Sequence, residues 1–286
     1  MNAALLGLVA ALSWGLHDFL ARFPSRAVGP VATVLAVTVA GLVVLSVWLA
    51  IDGGTIEIVW PSLWLVAVTG IVFAAATLAL FSALALGPIS IVAPLAGSYP
   101  ALAMIFAVAQ GTQPSLTQWA AIGAVMVGVV LVSRSGGHYE ASGHLPPGKL
   151  KIVLGLALLA SVCFAVSLTA GQAAAPIFGD VQTVWLARCF GLGAIGIVFL
   201  VKPDNTAIPA RWLPMLAIMG VLDVAALGTI VAAGDLPDAA FATVVSSAFG
   251  AVTVLLARAF LKEPVAKLQA AGIVVIFAAV AVLAGA

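Results

Sequence analysis

Runs of roughly 20 apolar residues follow one another along the whole chain, and a bilayer core about 30 Å thick is crossed by a helix of that length. Ten runs are separated by glycine, proline or charge: 3–22, 28–51, 61–86, 88–109, 115–133, 149–171, 178–201, 211–233, 237–261 and 264–285. Turn chemistry interrupts them at Asp52-Gly53-Gly54, Gly87-Pro88, Lys202-Pro203-Asp204-Asn205 and Glu263-Pro264. The first run has no basic residue ahead of it and is longer than a signal-peptide core, so it reads as the first transmembrane helix. The expected fold is all-α, a polytopic membrane protein of ten transmembrane helices.

Composition agrees with that reading. Only 7% of the 286 residues are charged and 64% are hydrophobic, where an average soluble domain carries about 25% charge. So few Asp, Glu, Lys and Arg cannot cover a water-facing surface, which excludes a soluble protein. The lipid bilayer is then the main partner. A formal net charge of +1 leaves no basic stripe for phosphates, which excludes nucleic acid. Cys163 and Cys189 both fall inside apolar runs and read as buried free thiols, with no disulfide and no metal site expected.

Short cytoplasmic loops collect Lys and Arg. The odd-numbered loops hold Arg22 and Arg26, then Arg134, Lys149 and Lys151, then Lys202 and Arg211, then Arg258, Lys262 and Lys267, which is 10 of the 11 basic residues. The even-numbered loops hold Asp52, Glu57, Asp180, Asp235 and Asp238. Odd loops are therefore expected in the cytoplasm and both termini outside.

The two halves also resemble each other at an offset of about 150 residues. Leu6-Gly7-Leu8 with Ser13 matches Leu154-Gly155-Leu156 with Ser161, Gln113-Pro114 matches Glu263-Pro264, and Tyr99 falls opposite Phe249. Five helices repeated twice leave the second copy upside down, and the loop charges reverse accordingly. The expected organisation is a five-helix repeat over 1–133, a cytoplasmic connecting loop over 134–148 and an inverted repeat over 149–286. Inverted repeats characterise secondary transporters, whose site lies near the midplane between the copies.

Ser13-Trp14-Gly15, Ala83-Leu84-Ala85-Leu86-Gly87-Pro88, Pro94, Tyr99-Pro100 and Glu263-Pro264 together resemble the drug/metabolite transporter superfamily. The chain is similar to its ten-helix, EamA-type carriers and, within them, to the branch that exports aromatic amino acids. This resemblance implies a basket in which the first, third, fourth, sixth, eighth and ninth helices line a central cavity, with the fifth and tenth bracing it. It also implies an exporter of amino acids; the carrier is expected in a bacterial inner membrane, with no cofactor and with the monomer as its functional unit. Gln113 departs from the pattern, standing where the second half has Glu263.

Ionisable groups within a membrane are costly and usually face a cavity or a partner. Asp18 and Arg22, at i and i+4, are expected to pair. His17, on the Trp14 side of the first helix, has no evident charged partner in sequence. Arg188 and Asp223 lie 17 residues before and 18 after Asn205, so an antiparallel hairpin brings them to one depth and they are expected to pair. Their roles divide between a structural lock and contact with the ammonium or carboxylate of a substrate.

Trp14, Phe73, Phe81, Tyr99, Phe164, Trp185 and Phe249 are the aromatic residues within spans from which a cavity wall would come. Ser98, Ser246 and Ser247 are candidate small polar contacts, and Pro94 and Pro100 should loosen the fourth helix. The leading reading is an amino-acid exporter working by alternating access. A proton-coupled multidrug exporter would need an unpaired Asp18 or Asp223. Sugar-phosphate transport would need more deep cations than Arg188. An enzyme is not expected, since only His17 lies in the membrane while His138 and His144 fall in the central loop. Nothing resembles a channel's selectivity filter.

Overall fold

The computed structural model describes residues 3–52, 58–109, 113, 115–141, 148–202, 207–234, 246 and 248–285. Among them the chain is all-helical, and five helices are long and apolar enough to cross a bilayer. The elements are α1 (Ala3–Ala27), α2 (Pro30–Asp52), α3 (Leu63–Leu86), α4 (Ile89–Ala96), α5 (Tyr99–Ala109), α6 (Leu116–Ala141), α7 (Leu150–Phe178), α8 (Asp180–Val201), α9 (Leu213–Gly234), α10 (Phe249–Leu261) and α11 (Lys267–Gly285). Single 3-10 turns, Trp60–Ser62 and Ala210–Trp212, lead into α3 and α9 at matching places in the two halves. Glu57, Asn205, Asp235, Asp238, His144 and Ser247 lie outside the described residues.

One expectation is corrected. The fourth span is not one helix but two, α4 and α5, broken at Gly97-Ser98. Proline has no N–H to continue the ladder, so Pro100 leaves the Ala96 carbonyl without its helical donor and the ladder stops there. The Ser98 hydroxyl turns back to the Leu95 carbonyl at 2.7 Å. Pro94, inside α4, likewise removes the donor that would serve the Ser90 carbonyl. Gln269 Nε2 on α11 takes its place at 2.8 Å. A second helix thus supplies the hydrogen bond that the sequence of α4 denies itself. The backbone of α6 continues to Ala141, beyond its apolar run.

Contacts between the halves come in exchanged pairs. α1 packs on α9 as α3 packs on α7; α2 packs on α9 as α3 packs on α8; α1 packs on α10 as α4 packs on α7. α6 and α11, the expected braces, pack on each other. Lipid offers apolar side chains no less than a neighbouring helix does, so helices associate where small residues let backbones approach. A Cβ at Gly70 would fall 1.8 Å from the Ala187 carbonyl oxygen, and Cβ atoms at Gly128 and Gly272 would each meet the other's carbonyl oxygen at 2.9 Å. Outward-facing Val43, Val47 and Trp48 on α2 and Leu255 and Phe260 on α10 are exposed, as lipid contact requires.

Candidate functional site

Arg188 on α8 and Asp223 on α9 form a buried ion pair. Two antiparallel helices bring residues equidistant from their link to one level, which places the two side by side. Trp14 Nε1 donates to the second Asp223 oxygen at 3.1 Å, so this carboxylate ties α1 to both helices. Both of its oxygens are engaged.

Asp18 does not pair with Arg22. His17 Nδ1 lies 2.9 Å from Asp18 Oδ1, so His17 is not without a charged neighbour either. Arg22 pairs instead with Glu263. An i, i+4 pair contributes only about 0.5 kcal/mol, too little to hold Arg22 against a carboxylate already fixed in place. Glu263 accepts the backbone N–H groups of Ile89 and Ser90 at 3.2 and 3.1 Å and the Ser90 hydroxyl at 3.0 Å. The positive N-terminal end of α4 is therefore capped by a carboxylate from the link before α11. Arg26 Nε adds a bond to the Ala85 carbonyl at 2.9 Å. These contacts close one end of the bundle over a dry wall that includes Phe81, Leu84, Ile89 and Ile91, none of them measurably exposed.

Above that wall is a cavity of about 300 Å³, within the size range of small-ligand sites. On α3 its lining runs from Thr69 to Leu80, on α7 from Phe164 to Ala175, and on α8 from Asp180 to Gly191. It therefore lies from mid-bundle towards the α7–α8 link, where exposed Asp180 marks its rim.

Trp14, His17, Asp18, Phe73, Tyr99, Phe164, Arg188, Asp223 and Phe249 all line it. Phe164 is the hub of the aromatic wall, 5.5 Å from Phe73 in an edge-to-face contact and 6.2 Å from Tyr99. Trp14 meets Phe249 edge-on at 6.2 Å. The other candidates lie elsewhere. Ser98 is buried against Ser161 at 3.1 Å, a contact between α7 and the break beneath α5. Phe81 lies under His17 with ring centres 5.7 Å apart, outside the lining. Trp185 donates to Ser46 at 2.9 Å and Ser246 is buried; neither lines the cavity. Cys163 and Cys189 are free thiols but only partly buried.

Two lining helices fall outside the six that the resemblance implies. α2 contributes Val37 and Thr38, and α8 contributes Asp180, Thr183 and Arg188, so spans two and seven join the six expected. A belt of hydroxyls, Thr38, Thr69, Thr77, Ser167 and Thr183, was also missed. Its signal was present as single hydroxyl residues within apolar runs, but Thr69 and Thr77 also bond carbonyls of their own helix at 2.7 and 3.0 Å. A hydroxyl that can satisfy itself locally does not announce a cavity.

A family model described as the EamA-like transporter family matches residues 1–134 and 151–285. A crystal structure of a protein 18% identical superposes with a TM-score of 0.68, covering 98% of this chain and 96% of that one. At that identity the likeness is one of fold. No curated protein matches the sequence.

Proposed function

The chain belongs to the EamA-like transporter family, membrane transporters of the drug/metabolite type, and from that premise we propose that it exports amino acids, aromatic and other apolar ones foremost, by alternating access. The observation that carries this is the cavity itself. Phe73, Tyr99, Phe164 and Phe249 share the lining of about 300 Å³ with the Arg188–Asp223 pair. That is a place for a small solute with an apolar side chain and a charged end.

Alternating access is supported by the asymmetry between the two ends. The Glu263 end is sealed by an ion pair and a capped helix terminus, while the lining reaches exposed Asp180 at the other. The inverted five-helix repeat fits the exchanged pairs of helix contacts and the family match to each half in turn. Rocking one copy against the other would open the sealed end and close the Asp180 end. The basic odd loops support a cytoplasmic Glu263 end, in keeping with a carrier of a bacterial inner membrane. A proton-coupled cation exporter is the weaker reading, because Asp18 is engaged by His17 and Asp223 by Arg188 and Trp14.

Reconstitution in liposomes tests the proposal directly. Labelled phenylalanine, leucine and threonine should enter saturably, with phenylalanine preferred. No saturable uptake of any amino acid would overturn it, and uptake strictly dependent on a pH gradient would return the question to the carboxylates.

A further inference from the structure

Three residues that line the cavity each carry a buried polar atom with no hydrogen-bond partner among the described residues: His17 Nε2, Thr183 Oγ1 and Arg188 Nε. Their residues are only 5%, 4% and 8% exposed. A buried polar group left without a partner is costly, and residues of this kind on the lining of a cavity offer bonds for a bound molecule to complete.

Their chemistry is one-sided. Arginine Nε–H only donates, a threonine hydroxyl donates readily, and His17 Nε2 donates or accepts according to its tautomer and charge. The acidic side chains at mid-cavity are already engaged. Asp223 takes Arg188 on one oxygen and Trp14 on the other, and Asp18 faces His17. Mid-cavity therefore offers a solute donors, on α8 above all, while both oxygens of Asp223 and one of Asp18 are committed to neighbouring side chains.

We propose that the cavity recognises its solute through the solute's carboxylate, bonded by Arg188 Nε–H and the Thr183 hydroxyl, and that an ammonium group makes no specific contact there. The inference rests on the reading of the cavity as a solute site and sharpens it. The pocket takes aryl- or alkyl-carboxylates as a class, and an amino acid is held as a carboxylate whose α-ammonium is tolerated. A charge-assisted bond to a guanidinium is the strong kind, so this contact dominates the choice between analogues of equal apolar size.

The test measures binding to the purified protein in detergent by calorimetry, with three probes sharing one phenyl ring: phenylalanine, 3-phenylpropanoate and phenethylamine. Phenylalanine and 3-phenylpropanoate should bind within a few-fold of each other, with phenethylamine weaker by about tenfold or more. Thr183→Val, which keeps the shape and removes the hydroxyl, should weaken both carboxylates by about tenfold and leave phenethylamine unchanged. Arg188→Lys, which keeps a countercharge for Asp223 but removes the Nε–H, should act in the same direction. Phenethylamine binding as tightly as 3-phenylpropanoate would overturn the proposal, as would carboxylate binding indifferent to Thr183→Val, or no binding by any probe. Binding of 3-phenylpropanoate without amino-acid transport would sink the exporter reading alone.

Discussion

Arg22 of α1 and Glu263 of the α10–α11 link, 241 positions apart in sequence, form the ion pair that closes one end of the cavity. The link reaches inward because Lys262 adopts the left-handed conformation, φ 53°, at the end of α10, turning the chain so that the next residue points into the bundle. Glu263→Gln leaves Arg22, 13% exposed, without its countercharge. Thermal unfolding in detergent should register a loss of about 2–4 kcal/mol. In a background lacking Cys163 and Cys189, Ala83→Cys should then label faster from that end; unchanged labelling would separate the pair from closure.

The Arg188–Asp223 pair should show the asymmetry of buried ion pairs. Arg188→Ala or Asp223→Asn each strands one charge and should cost about 3–5 kcal/mol. Exchanging them, Arg188→Asp with Asp223→Arg, should recover much of that stability yet not transport, if the guanidinium holds the solute as proposed. Full uptake by the exchanged protein would reduce the pair to a structural lock.

Close helix approach makes two glycines of α3 and α8 opposites. Gly70→Ala drives a methyl into the Ala187 carbonyl, at 1.8 Å, and should abolish the folded protein on size-exclusion chromatography. Gly193→Ala meets nothing within 4 Å and should be neutral or stabilising by up to about 1 kcal/mol through helix propensity alone.

Gln269 and Pro94 should be coupled. Gln269→Leu removes this donor from the buried Ser90 carbonyl and should cost about 1–3 kcal/mol. Pro94→Ala returns a backbone N–H to that carbonyl, so the double variant should be more stable than Gln269→Leu by itself. Additive losses in the cycle would show that the side chain does not substitute for the missing backbone donor.

Orientation is checked at Lys262. With Cys163 and Cys189 removed, Lys262→Cys should resist an impermeant thiol reagent in intact cells and label once the membrane is opened. Labelling from outside would reverse the topology.

The features legible in the sequence are those set by local chemistry. Apolar run length announces a membrane helix, and equal distances from a turn place Arg188 beside Asp223 without any knowledge of the rest. Spacing misled where a third element entered. Asp18 and Arg22 sit one turn apart, yet Glu263 of a distant link drew Arg22 away and left Asp18 to its neighbour His17, and Pro94 could be read as a helix breaker but not as one repaired by Gln269.

Residence in lipid and a helical build are written in the amino-acid order alone, because about 20 apolar residues in a row are stable in a bilayer only as a helix that satisfies its own backbone. Which helix faces which is a matter of packing in three dimensions. In so apolar a chain nearly every face of every helix suits lipid equally well. Choice therefore falls to the few glycines that admit a neighbour's backbone and the few polar groups that must find partners, such as Glu263 beneath α4 and the donors of Arg188 and Thr183 at the cavity wall.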